Sequence, residues 1–367
     1  MDSENIDDQA ELADSGIIAP EVAAQEAGLH YVHATDPGIR RERDGDGWRY
    51  FGPAGKAIVD EKVLARIAKL AIPPAYTDVW ICKDARGHLQ VVGKDARGRK
   101  QYRYHADFRA VRDSNKFHHM LDFARALPKV RTTIDKHMKL HGMPREKVLA
   151  TVVYLLETTL IRVGNDEYAK ENESFGLTTL QNRHVAVEGA KLNFHFKGKS
   201  NKEWNLTLKD KRVAKLVRQA QDLPGQHLFQ YLGEAGQPHA VTSSDVNAYL
   251  HEIAGAAVTA KDFRTWAGTV LAATALSEFE AVETTAKAKK NVKAAIERVA
   301  AQLGNTPTIC RKCYIHPEIV GAYMDKALAL TITERIDDAL VEDEGLHSHE
   351  EAVLTFLKGR LAERVVG

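Results

Sequence analysis

The spacing of apolar residues changes near His105, and that change limits the possible folds more than any other feature of the chain. Before it, from about Tyr31 to Tyr104, short apolar runs such as Asp78-Val-Trp-Ile-Cys82 and His88-Leu-Gln-Val-Val92 are broken by glycine and charge, the pattern of a small β-containing unit. The near-repeat Lys83-Asp-Ala-Arg-Gly87 and Lys94-Asp-Ala-Arg-Gly98 reads as two turns flanking a strand, and Asp60 to Leu70 as one helix. After it, Met120 to Leu127, Val130 to Leu140, Glu146 to Val163, Ala214 to Asp222, Ser244 to Ile253, Ala260 to Ala281 and Ala288 to Leu303 carry helical spacing. One interruption, Arg183 to Leu208, alternates like strands, with Gly198 and the Lys197 to Lys202 run as the turn of a β-hairpin near 191–208. The expected class is α+β: an acidic arm over 1–28, a β-rich N-terminal domain over 29–105, and a larger, mostly α-helical domain over 106–367.

Charge sharpens this division. Of the 50 acidic residues, nine fall before Arg40, where there is no Lys or Arg at all. From Arg40 onward 51 basic residues face 41 acidic ones, so a formal net charge of +1 hides a body of about +10. A basic body implies a polyanionic partner; the arm reads as a disordered, solubilising tail. No apolar run approaches 18 residues and no basic-then-apolar stretch follows Met1, so a membrane partner, a transmembrane helix and a signal peptide are not expected. Three cysteines cannot build a disulfide framework. The expectation is a soluble cytoplasmic protein.

Several short motifs lead nowhere on their spacing. Gly198-Lys199-Ser200 looks like the end of a phosphate-binding loop, but Asn193 stands where the first glycine belongs, so no nucleotide is expected. Cys310-Arg-Lys-Cys313 needs two more ligands for a tetrahedral zinc site, and only His316 is nearby. Asp44-Gly-Asp46 and the acids from Glu342 to Glu351 read as solvated turns and surface. No cofactor or metal is expected.

Four segments of the helical region place polar residues where propensity does not require them: Leu160-Ile-Arg-Val-Gly-Asn165, Phe196-Lys-Gly-Lys-Ser200, Lys261-Asp-Phe-Arg-Thr-Trp266, and Gly304-Asn-Thr-Pro through Cys313-Tyr-Ile-His316. Arg162 ends an apolar helix, and Arg264 sits between Phe263 and Trp266. Arginine in such company serves either a core salt bridge or an anion site, and spacing leaves both open.

The ordered series Arg162, Lys199, Arg264, Asn305, Tyr314, in these contexts, resembles the bacterial, poxvirus-like branch of the type IB DNA topoisomerases. The resemblance extends through Ile72-Pro-Pro-Ala-Tyr-Thr-Asp-Val-Trp80 and Gly98-Arg-Lys-Gln-Tyr-Arg-Tyr104, and covers roughly Tyr31 to the end. It implies a C-shaped clamp on duplex DNA, working as a nucleoid-associated monomer that nicks one strand, allows rotation and reseals without ATP or a required metal. Tyr314 would be the nucleophile, a phenol with a free pKa of about 10 that leaves more readily than an alkoxide. Arg162 and Arg264 would hold the non-bridging oxygens, and Asn305 would donate a further hydrogen bond. Many relatives have histidine at that place, and an amide cannot take part in proton transfer. Lys199 would be the general acid for the 5′ oxygen, with Lys261 as an auxiliary. Arg99, Lys100, Gln101, Tyr102 and Tyr104 would contact DNA.

Two rivals share this fold. A tyrosine recombinase usually carries a histidine two or three residues before the second arginine, where this chain has Lys261-Asp262-Phe263. A DNA-binding protein without chemistry would not need the full catalytic set.

Overall fold

The computed structural model describes residues 18–96, 98–233, 236–255, 257–279, 284–328 and 346–366. The chain divides into two compact units, one up to His119 and one from Met120. Among the described residues no helix is long and apolar enough to cross a membrane.

The first unit opens with α1 (Pro20–Glu26), which starts on a proline at its first turn, where a missing N–H costs nothing. Ala23 and Ala24 are fully buried in a cluster with Leu29 and Phe108. The expected disordered arm therefore needs correction over these residues: small alanine faces let the helix lie close to the aromatic ring. The rest of the arm, 1–17, lies outside the described residues. Next come β1 (Ile39–Asp44), β2 (Gly47–Phe51), α2 (Glu61–Lys69), β3 (Thr77–Ile81), β4 (Leu89–Lys94) and β5 (Lys100–Tyr104). The strands form one antiparallel sheet in the order β2-β1-β3-β4-β5. The Asp44-Gly-Asp46 motif is the β1–β2 turn, with Gly45 at φ +59° and Asp44 accepting from Arg49 at 2.8 Å.

The two near-repeats are both turns between strands. In each, the glycine N–H donates to the carbonyl of the aspartate three residues earlier, Gly87 to Asp84 and Gly98 to Asp95. Helix α2 is capped by the Asp60 carboxylate, which accepts from the Lys62 and Val63 N–H groups. It packs Ile67 onto Ile39 and Ile81 on one face of the sheet.

Helix α3 (Ala106–Met138) is continuous across the boundary between the units. Two helices were expected there, divided around Pro128. The stripe Phe117, Met120, Leu121, Ala124, Leu127, Ile134, Met138 stays buried on both sides of the proline. That burial outweighs a break costing about 3 kcal/mol.

In the second unit α4 (Arg145–Thr159) is apolar on nearly every side and runs through the core. It stops short of the expected Val163 because Leu160 turns into the left-handed region, φ +57°. Beyond α5 (Asp166–Asn172), strands β6 (Val185–Glu188), β7 (Lys191–Gly198) and β8 (Lys202–Lys209) form an antiparallel sheet. The β7–β8 hairpin pairs Gly198 with Lys202, and Lys199–Asn201 make one 3₁₀ turn at its tip. Then follow α6 (Lys211–Gln221), the short pair β9 (Gln230–Leu232) and β10 (Pro238–Ala240), α7 (Ser243–Ala254), α8 (Ala260–Ser277), α9 (Thr285–Leu303), α10 (Pro307–Cys313), α11 (Pro317–Met324) and α12 (Ser348–Val366).

Beneath the hairpin runs a ladder of rings. Phe175 lies 4.4 Å from His184, His184 6.3 Å from Phe196, and Phe196 stacks on Trp204 at 6.0 Å with planes 3° apart. His184 Nδ1 accepts from the Gln181 N–H, which needs the neutral ring. Burial, with Arg183 and His195 nearby, pushes its pKa down to about 4.

Two outcomes follow. Ala24→Asp buries a carboxylate in the α1 cluster and should lower unfolding stability by on the order of 3 kcal/mol in a denaturant titration; an unchanged midpoint would show that α1 does not belong to the folded unit. For His184, the unfolded ring takes a proton near pH 6.5 while the folded ring stays neutral to about pH 4. Its contribution is therefore full above pH 6.5 and is lost as pH falls toward 4. Stability curves for the parent and His184→Phe should diverge across that window, and parallel curves would contradict the assignment.

Candidate active site

Of the residues singled out in the helical region, Arg162, Arg264, Asn305 and Tyr314 come together around helix ends. Arg162 lies two residues past the left-handed Leu160 that ends α4. Its loop is locked from behind: the Arg162 and Val163 carbonyls accept from the Leu177 and Thr178 N–H groups, each at 2.8 Å. A side chain at Gly176 would stand 2.7 Å from the Arg162 carbonyl and the Gly164 Cα, so only glycine permits this approach. Asn305 follows Gly304, which ends α9 in the left-handed region at φ +65°. The Asn305 N–H returns to the Ala300 carbonyl at 2.9 Å.

Arg162 donates from its guanidinium to Asn305 Oδ1. That bond fixes which way the amide faces. Asn305 Nδ2 is then a buried donor with no hydrogen-bond partner among the described residues. Such a group costs free energy unless an acceptor arrives.

Arg264, in the second turn of α8, is 3% exposed. It donates to the Leu160 carbonyl and, at 2.7 Å, to the Leu303 carbonyl. These are the end of α4, two residues before Arg162, and the last residue of α9, two before Asn305. Helix C-termini present orphan carbonyls and a partial negative charge, so a guanidinium there is favoured on both counts. The same guanidinium lies 5.2 Å from the Tyr314 ring centre. Carbonyl anchoring orients the guanidinium through partial charges at both helix ends.

Tyr314 directly follows α10, with its N–H bonded to the Cys310 carbonyl at 3.0 Å. Thr269 on α8 holds the segment from both sides: its hydroxyl donates to the Tyr314 carbonyl at 3.2 Å and accepts from the His316 N–H at 3.0 Å. Gly268 makes room, since a Cβ there would meet the Tyr314 carbonyl at 2.7 Å. The Tyr314 side chain is 2% exposed, so the phenol is covered in the DNA-free chain. Cys310 and Cys313 are buried free thiols, and burial pushes the Cys310 thiol up to about 12, keeping it protonated.

Lys199 stands at the hairpin tip, in the 3₁₀ turn. Two contacts fasten that end of the hairpin. The Phe175 N–H donates to the Lys197 carbonyl at 2.8 Å, joining β7 to the segment that backs the Arg162 loop. Trp204 lies against both Gly198 and Gly304. Lys261 is half-buried in the first turn of α8, one turn before Arg264. Between them Asp262 accepts from the Thr259 N–H and hydroxyl, capping the helix where a recombinase would carry its histidine region.

In the first unit β5 sorts the expected DNA contacts by face. Lys100, Tyr102 and Tyr104 share one face, with the two tyrosine rings stacked 6.3 Å apart. Tyr104 also stacks on Phe108, and burial pushes its hydroxyl up to about 12. Gln101 points to the other face, 3% exposed, and donates to Asp95 at 2.9 Å. Arg99 is paired with the same carboxylate at 2.7 Å. Arg103 donates to the Leu70 carbonyl.

The supporting residues Gly176, Gly268, Thr269 and Trp204 escaped the sequence reading. Only Gly268 carried a signal, a glycine inside an alanine-rich helix, which marks a close approach.

Comparison with known proteins identifies the family. Residues 105–336 match the family described as eukaryotic DNA topoisomerase I, catalytic core, and residues 47–95 match the bacterial DNA topoisomerase IB N-terminal domain. DNA topoisomerase 1B of Acanthamoeba polyphaga mimivirus is 32% identical over 286 residues, 76% of this chain and 85% of the viral one. DNA topoisomerase 1B of vaccinia virus (strain Copenhagen) is 24% identical over 281 residues, 75% and 83% of the two chains. DNA topoisomerase 1 of rabbit fibroma virus (strain Kasza) is 28% identical over 260 residues, 66% and 76%. With a catalytic-core match that covers more than half of this chain and a bacterial N-terminal domain before it, this chain belongs to the type IB DNA topoisomerase family.

Proposed function

We propose that this chain relaxes supercoiled duplex DNA, acting as a monomer on nucleoid DNA, through a transient 3′-phosphotyrosyl bond to Tyr314. One observation carries the reading: Arg264 ties the end of α4 to the end of α9 and lies 5.2 Å from the Tyr314 ring, beside the Arg162–Asn305 pair.

The chemistry follows from the groups present. Tyr314 attacks phosphorus as the phenolate, forming the Oη–P bond while the P–O5′ bond breaks. Negative charge grows on the non-bridging oxygens, where the guanidiniums of Arg162 and Arg264 and the buried Nδ2 of Asn305 donate to it. The departing 5′ oxygen takes its proton from the Lys199 ammonium, with Lys261 as an auxiliary on the same helix as Arg264. A phenolate is a better leaving group than an alkoxide, so the 5′ hydroxyl displaces Tyr314 in the reverse step without ATP. Entry of the DNA phosphate must uncover Tyr314, which is closed off in the free chain. In the first unit the face of Lys100, Tyr102 and Tyr104 is the one we assign to the duplex. Arg99 and Gln101 reach it only by releasing Asp95.

Plasmid relaxation in EDTA without ATP tests the class, and it should proceed to completion with a protein-linked 3′ end on a denaturing gel. Tyr314→Phe should bind duplex DNA as the parent does and form no covalent adduct; an adduct in that variant would transfer the nucleophile's role elsewhere.

A further inference from the structure

We propose that Trp204 is a positioning residue for Lys199, its indole fastening the hairpin tip to the turn that carries Asn305. The inference rests on the general-acid reading of Lys199. A Cβ at Gly198 would stand 2.7 Å from Trp204 Nε1, and one at Gly304 would stand 2.7 Å from Trp204 Cζ2. One indole thus has its pyrrole edge on the residue before Lys199 and its benzo edge on the residue before Asn305. Gly198 has an ordinary φ of −98°, so close approach, not backbone conformation, is the demand there.

The tip needs such a fastening. A two-stranded hairpin is held along its length by its own ladder, and its far end moves freely unless it packs on something. Lys199 adds a flexible four-carbon stem. Misplacing a reacting group by about 1 Å costs on the order of 10²-fold in rate. Asn305 is anchored independently, by its N–H on Ala300 and by Arg162. Loss of the indole therefore removes the packing on Gly198, the residue before Lys199, leaves the Phe175–Lys197 bond two residues away, and leaves the amide in place. Trp204 also stacks on Phe196, so the ring cannot turn away from the two glycines without breaking the ladder beneath the hairpin.

A leaving group that needs no proton separates this role from mere packing. Cleavage is measured in single turnover on a duplex with a normal phosphodiester at a mapped site, and on the same duplex with a 5′-bridging sulfur there. Trp204→Ala should cleave the normal duplex about 10²-fold more slowly than the parent, and the sulfur duplex within about threefold of it. Trp204→Phe keeps the stack on Phe196 but is too short to reach Gly304. It should fold as the parent does and show the same selective defect to a smaller degree. Equal slowing on both duplexes by the Trp204 variants, with Lys199→Ala restored by sulfur, would overturn the positioning role and leave the general acid standing. Failure of sulfur to restore Lys199→Ala would overturn the general-acid reading and the inference with it. Unchanged cleavage of the normal duplex by both Trp204 variants would also overturn the inference.

Discussion

The catalytic half of this chain depends on one buried cation. Arg264 reaches from α8 to the carbonyls of Leu160 and Leu303, and without it two helices would end in the interior with unsatisfied acceptors. Each of those carbonyls lies two residues before a candidate site residue, so satisfying the helix ends also fixes the starts of the Arg162 and Asn305 segments. A backbone requirement that any buried helix end must meet becomes here the means of assembling a site from distant parts of the sequence. Tyr314 is brought to the same place through Thr269 and Gly268 on the helix that carries Arg264.

A second, half-buried arginine is held by carboxylates. Arg131 on α3 is held between Glu157 and Glu350 at 2.6 and 2.8 Å, and Glu350 also accepts from the Trp266 indole. Burial alone would raise the Glu350 carboxyl, but its bonds from Arg131, His347 and Trp266 hold it below the usual range. Here the charge is spent on structure: it ties the start of α12 to α3 and α8. Glu350 belongs to the acidic stretch that reads as solvated surface in the sequence. Its burial follows from a cation on a helix more than two hundred residues earlier, which local pattern cannot reveal.

What was legible follows the same division between local and distant causes. Period-two alternation located the β7–β8 hairpin, and period-3.6 spacing located α4, α7, α8 and α9 to within a few residues, since burial of one face writes itself into the sequence directly. The stop of α4 at Thr159 was not legible, because Leu160 is no helix breaker and adopts its left-handed conformation in a chain where Arg264 receives its carbonyl. Nor was the unbroken α3, where tertiary burial on both sides of Pro128 overrides a strong local signal. The candidate site residues were proposed through their family contexts. Gly176 and the indole of Trp204, which set their spacing, carried no signal, because a close approach leaves no periodicity.

These arrangements bear on how the site can work with so little change of charge. A guanidinium in bulk water must shed ordered solvent to meet a phosphate, and the reorganisation raises the barrier. In this chain the cation's solvent has already been replaced by two carbonyl oxygens, and Asn305 Nδ2 has already lost its water without gaining an acceptor. Both costs fall on the folding equilibrium, where α4, α8 and α9 offset them through their apolar faces. On the proposed reading, a phosphate entering beside Tyr314 would meet donors that are fixed and desolvated before charge begins to grow on its oxygens, which is the condition under which hydrogen bonds favour the transition state over the bound substrate.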